Sequence, residues 1–159
     1  MTRSLLPRLV AVAAAACTTT IPAPASAQSE GGLYVAGNGF TFQQAAERAI
    51  AQNPGGRRFF VVAVPPETSA LTTGAAGPLA ALRERVVAAN GVLYVCRRDI
   101  DNGKIDAATL VPGVIAVRGW PPVGSQELPE GARYFKDENP ANFPESTNSL
   151  RLLRSTCSY

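Results

Sequence analysis

The stretch "GVLYVCRRDI", Gly91 to Ile100, ends an apolar run on a cysteine followed by two arginines. The thiolate, not the thiol, is the nucleophile, and nearby cations or a helix N-terminus lower a cysteine pKa from about 8.5. Cys96 is therefore the candidate sulfur-carrying or redox residue, and Arg97 and Arg98 are candidate thiolate stabilisers. In an extended strand the two arginines would point to opposite faces, so a turn is needed to bring one towards the sulfur. A helix following Asp101 could also aim its positive end there. The chain has no histidine. That excludes histidine general acid–base catalysis, Ser-His-Asp and Cys-His nucleophile pairs, and histidine-ligated zinc or haem.

What competes for Cys96 depends on the compartment, and the N-terminus addresses that. "MTRSLLPR" is a basic opening, "LVAVAAAAC" an apolar stretch too short to span a bilayer, and Ala25-Ser26-Ala27 an A-x-A site. This layout predicts a signal peptide over residues 1–27 and export to the periplasm or beyond. Pro22, Pro24 and the Thr18–Thr20 run argue against a buried N-terminal helix. Cys17 follows small residues, but Ala14 rather than a larger aliphatic residue precedes it by three, which favours plain export over lipid anchoring.

Removing residues 1–27 leaves 13 basic and 12 acidic residues, a net charge of about +1 instead of +3. No basic stripe remains, so no nucleic-acid partner is expected, and no transmembrane segment is expected in the mature chain. Cys96 and Cys157 remain. They are too few for a cysteine-built zinc or iron–sulfur site, and in an oxidising compartment such a pair can form a disulfide. Three states of Cys96 stay open: bridged to Cys157, free and functional, or inert and buried.

Other chemistry is weaker. Gly37-Asn38-Gly39 follows a strand but lacks a full Gly-x-Gly-x-x-Gly, so a tight strand–helix turn is expected, and no cofactor. Asp99, Asp101 and Asp106 lack the spacing and closing acid of a calcium loop, so no metal is expected. Arg57-Arg58 and Arg97-Arg98 read first as solvated strand ends.

The elements that must position these residues alternate. "GGLYVAG", "RRFFVVAV", "VLYVC" and "VIAVRGW" read as strands, the middle two apolar throughout as in strands covered on both faces. "FTFQQAAERAI" is an amphipathic helix with Thr41 as N-cap. "GPLAALRERVVAANG" is a second helix with Pro78 in its first turn. "DNGKIDAATLVPG" reads as a loop and short helix capped by Asp106, and "SLRLLRSTCSY" as a last helix or strand delivering Cys157. The prediction is a single three-layer α/β domain with a mainly parallel sheet of about four to five strands. Residues 28–120 form the domain and 121–159 a loop-rich C-terminal extension. Sites in such sheets gather at the carboxyl ends of the strands. Here that edge collects Gly37–Gly39, Pro65–Thr68, Cys96–Arg98 and Gly119–Pro122.

Within this order, a helix ends in Gly91, a strand runs from Val92 into Cys96, and Leu110-Val111-Pro112-Gly113 turns into Val114–Val117. Over Gly32 to Trp120 this resembles the DsrE/DsrF-like proteins, small α/β domains associated with sulfur relay. The resemblance implies a DsrE-like or flavodoxin-like fold and a homo-oligomer. It also implies a Cys96 that carries sulfane sulfur as a persulfide, working with another thiol or sulfur-relay protein. The alternative expectation is a non-enzymatic binding or oligomerisation module, in which Cys96 is structural or bonded to Cys157.

Overall fold

The computed structural model of the protein describes residues 30–120 and 138–159. The expected signal peptide, Cys17, Pro121, Pro122 and most of the expected C-terminal loop lie outside the described residues. Four apolar runs form a parallel sheet in the order β1 (Leu33–Ala36), β2 (Phe59–Ala63), β3 (Gly91–Cys96) and β4 (Ile115–Val117). The register pairs Val61 with Leu93 and Cys96 with Val117.

The sequential strand order decides the layers. Parallel crossovers are right-handed, so a chain that never reverses across the sheet lays every crossover helix on one face. Helix α1 (Phe42–Gln52) connects β1 to β2, and α2 (Gly77–Ala88) connects β2 to β3. Phe42, Ala45, Ala46 and Ala49 of α1, with Leu82 and Val86 of α2, pack on Phe59, Val61 and Ala63 of β2. The opposite face would lie open without the C-terminal helix α4 (Thr147–Thr156). There Leu150, Leu153 and Cys157 join Phe60, Val62, Tyr94 and Cys96 in a second apolar cluster. Covered on both faces and flanked by strands on both sides, every residue of β2 is buried.

The ends of the elements follow the sequence signals. Thr41 makes a full capping box with Gln44, Pro78 lies in the first turn of α2, and Asp106 caps the turn Ala107–Thr109. One junction differs from the reading. Arg97 and Arg98 do not prolong the strand; they open a short helix, α3 (Arg97–Asp101), directly after Cys96. The arginine–aspartate alternation places Arg97 and Asp101 one helical turn apart, where they pair at 3.1 Å. Among the described residues no helix is long and apolar enough to cross a membrane.

Candidate functional site

The carboxyl edge of the sheet was the expected site, and each of its segments has a local reason for its shape. After β1, Gly37-Asn38-Gly39 makes a tight turn with φ of 117°, 54° and 98°. It is closed by Gly37 N–H donating to Phe40 O at 2.7 Å and Phe40 N–H donating back at 3.1 Å. A side chain at Gly37 would meet Val64 Cγ2 at 2.2 Å, so only glycine fits.

A turn leading into a helix N-terminus can cradle an anion if the first backbone N–H groups are free. Here the protein uses two of them itself. Thr41 Oγ1 accepts from Gln44 N–H at 3.1 Å, and Glu67 Oε2, from the turn after β2, accepts from Phe42 N–H at 2.6 Å. The Glu67 carboxylate thus occupies the place a phosphate oxygen would take.

Cys96 ends β3 at the same carboxyl edge, and its sulfur is bonded. The Cys96–Cys157 disulfide has an S–S distance of 2.11 Å, with Cα atoms 5.0 Å apart and a sequence separation of 61. Both cysteines are fully buried in the apolar cluster beneath α4. Cys157 is the C-cap of α4. Cys96 Sγ also lies 3.8 Å from the carbonyl oxygen of Thr156. Gly119, just past β4, sits so close that a Cβ there would lie 2.2 Å from the Cys157 carbonyl. The Trp120 N–H donates to Ser158 Oγ at 3.1 Å. The bridge, the glycine contact and this hydrogen bond fasten the end of α4 across the ends of β3 and β4.

The arginines after Cys96 are engaged with carboxylates of α3. Arg97 pairs with Asp101, and Arg98 Nε lies 3.7 Å from Asp99 Oδ1, which also faces Lys104 Nζ at 3.8 Å. Asp99 is buried, and among the described residues its Oδ2 has no hydrogen-bond partner. Among the described residues no cluster of three or more cysteines or carboxylates could hold a metal ion. The structure therefore brings together Cys96, Cys157, Arg97 and Arg98 in one corner, with the cysteines inside and the arginines on α3 at the surface.

The reading along the chain missed the polar groups that hold this corner and α4. Glu30, at the start of the described chain, accepts from Glu145 N–H at 2.6 Å and Ser146 N–H at 2.7 Å, at the N-terminus of α4. Arg154 is fully buried, pairs with Glu138 at 2.6 Å, donates to Arg118 O, and stacks over Phe143 at 4.8 Å. Tyr94, stacked between Phe60 and Phe143, donates to Asn142 O. Burial raises its phenol pKa well above the ordinary value, with Glu30 adding to the shift and Arg58 and Arg154 opposing it. These partners are long-range in sequence, so no local spacing signals them.

The larger grooves lie elsewhere. One, of about 700 Å³, opens at the amino ends of the strands among Val87, Val92, Val111 and Ile115. Another, of about 430 Å³, runs beside β1. Neither is lined by Cys96, Arg97 or Arg98. Comparison of the chain with protein-family models, curated proteins and solved structures found no match.

Proposed function

We propose that the chain is an exported, DsrE-like binding module without catalytic activity, in which the Cys96–Cys157 bridge is structural. The carrying observation is that both sulfurs are bonded to each other and fully buried between the sheet and α4. A structural disulfide in an oxidising compartment has this setting, whereas reactive cysteines sit in partly exposed, electropositive surroundings. The ion pairs of Arg97 and Arg98 with α3 carboxylates further support the reading, because they supply those guanidinium groups with partners other than a thiolate.

The competing reading, a sulfur carrier or thiol-redox accessory acting through Cys96, needs the bridge reduced and α4 lifted. Mass spectrometry of protein purified from the exporting compartment tests both. The expected result is a chain beginning at Gln28, two hydrogens lighter than the dithiol form, with no thiol labelling in the absence of reductant. Incubation with polysulfide is expected to add no sulfane sulfur. A persulfide on Cys96 in the folded protein would overturn the structural assignment.

A further inference from the structure

Strand β1 is an edge of the sheet, and among the described residues no strand pairs with its outer side. Phe60 N–H donates to Gly32 O at 3.1 Å and Val64 N–H to Ala36 O at 2.9 Å. In a parallel ladder, alternate residues serve the neighbouring strand, so Gly32, Tyr34 and Ala36 face β2. Leu33 and Val35 therefore turn their N–H and C=O groups outward. Edge strands are usually blunted by proline, bulges or charge, and "LYVA" carries none of these.

The two faces beside this edge differ. On the α1 side, the 430 Å³ groove is lined by Tyr34 of β1 and by Gln44, Arg48 and Gln52, polar groups on successive turns of α1. Arg48 is exposed, and among the described residues it has no carboxylate within ion-pair distance. On the α4 side stands Leu152, 46% exposed, next to the apolar Leu33 and Val35, and Phe40 closes one end at 55% exposed.

We infer that the open edge of β1 docks an extended polypeptide whose side chains alternate between acidic and apolar. Only a strand offers N–H and C=O groups at the spacing of Leu33 and Val35. A strand added there points alternate side chains to the two faces. Apolar ones meet Leu152, Leu33 and Val35, and acidic ones meet Arg48 among the glutamines. A second copy of the chain fits less well. Twofold antiparallel pairing about Tyr34 would lay one α1 beside the other, with Arg48 facing Arg48.

The proposal names the partner class of the binding-module reading, but it stands on a different part of the molecule from the disulfide. The probe is a short labelled peptide of alternating glutamate and valine, compared with its lysine–valine counterpart by fluorescence anisotropy at low salt. The glutamate peptide is expected to bind at least about tenfold more tightly, with Arg48→Glu reversing the preference and Arg48→Gln abolishing it. Hydrogen exchange is expected to show new protection at the Leu33 and Val35 amides on binding. Absence of binding by either peptide, equal affinities unmoved by Arg48→Glu, or edge amides protected by self-association alone would overturn it. None of these outcomes bears on whether Cys96 forms a persulfide, so this proposal and the structural-bridge reading fail separately.

Discussion

Tyr94 shows how one side chain ties the sheet to the C-terminal segment and what that implies for pH. Its ring is stacked in the core and its hydroxyl reaches Asn142 O, so the neutral phenol is the form the fold accommodates. An unfolded tyrosine ionises near pH 10, whereas the buried one ionises only well above that. In alkaline solution the native state therefore holds a proton that the unfolded state has lost. Its contribution is full below pH about 10 and falls as pH rises past it, by up to about 1.4 kcal/mol per unit. Urea unfolding between pH 8 and 11 is expected to show this slope, and Tyr94→Phe to flatten it. The same variant leaves Asn142 O without its donor, costing about 1 kcal/mol at neutral pH. An unchanged alkaline slope in Tyr94→Phe would assign the effect to other groups. At this scale the sequence was legible where a residue's partner is local. Thr41 and Asp106 follow from spacing, whereas the Arg97–Asp101 pair was not legible, because the helix that brings the two residues one turn apart opens at Arg97 itself. Glu67 was not legible, because the N-terminus it caps belongs to a helix 25 residues earlier.

Helix α4 makes the same point for an element. Its apolar positions Leu150 and Leu153 are plain in "SLRLLRST", but helix or strand could not be decided from so short a run. What fixes it is distant: Glu30 at its N-terminus, the Glu138–Arg154 pair along its side, and Cys157 at its end. The Glu30 carboxylate receives two N–H groups at the positive end of the helix, beside the Ser146 cap. Glu30→Ala is expected to destabilise the protein by about 1–2 kcal/mol, with faster amide exchange confined first to Thr147–Thr156. The buried pair behaves differently. Glu138→Gln removes a charged partner held 2.6 Å from the buried Arg154 guanidinium and is expected to cost about 3 kcal/mol. Adding Arg154→Met in the same chain, beside Leu150 and Phe143, should recover most of that loss. Chemical denaturation of the two variants checks the recovery. A double variant no more stable than Glu138→Gln alone would mean that Arg154 acts through packing and its bond to Arg118 O.

For the whole molecule, the alternation of strands and helices made a three-layer parallel domain legible, because buried parallel strands carry no polar face. The identity of the third layer was not, since sequential crossovers cover only one face and the second cover comes from the far end of the chain. The disulfide closes that arrangement, and its role follows from loop size and burial. Constraining a loop closed at a sequence separation of 61 lowers the entropy of the unfolded chain by an amount worth about 4 kcal/mol at room temperature. Cys96→Ala with Cys157→Ala should lose about 2–4 kcal/mol while keeping the sheet, which denaturation and far-ultraviolet circular dichroism would show. Reduction of the native protein carries the sharper expectation. A thiolate must approach a sulfur directly, and both sulfurs are shielded by α4 and the sheet. Reduction by dithiothreitol should therefore wait on the opening of α4. Its rate should saturate at high reductant, rise in sub-denaturing urea, and increase in Glu30→Ala, where the helix is less firmly held. A rate that grows linearly with reductant and ignores both urea and Glu30→Ala would place the sulfurs within reach in the native state. That outcome would shift the balance towards a redox role for Cys96.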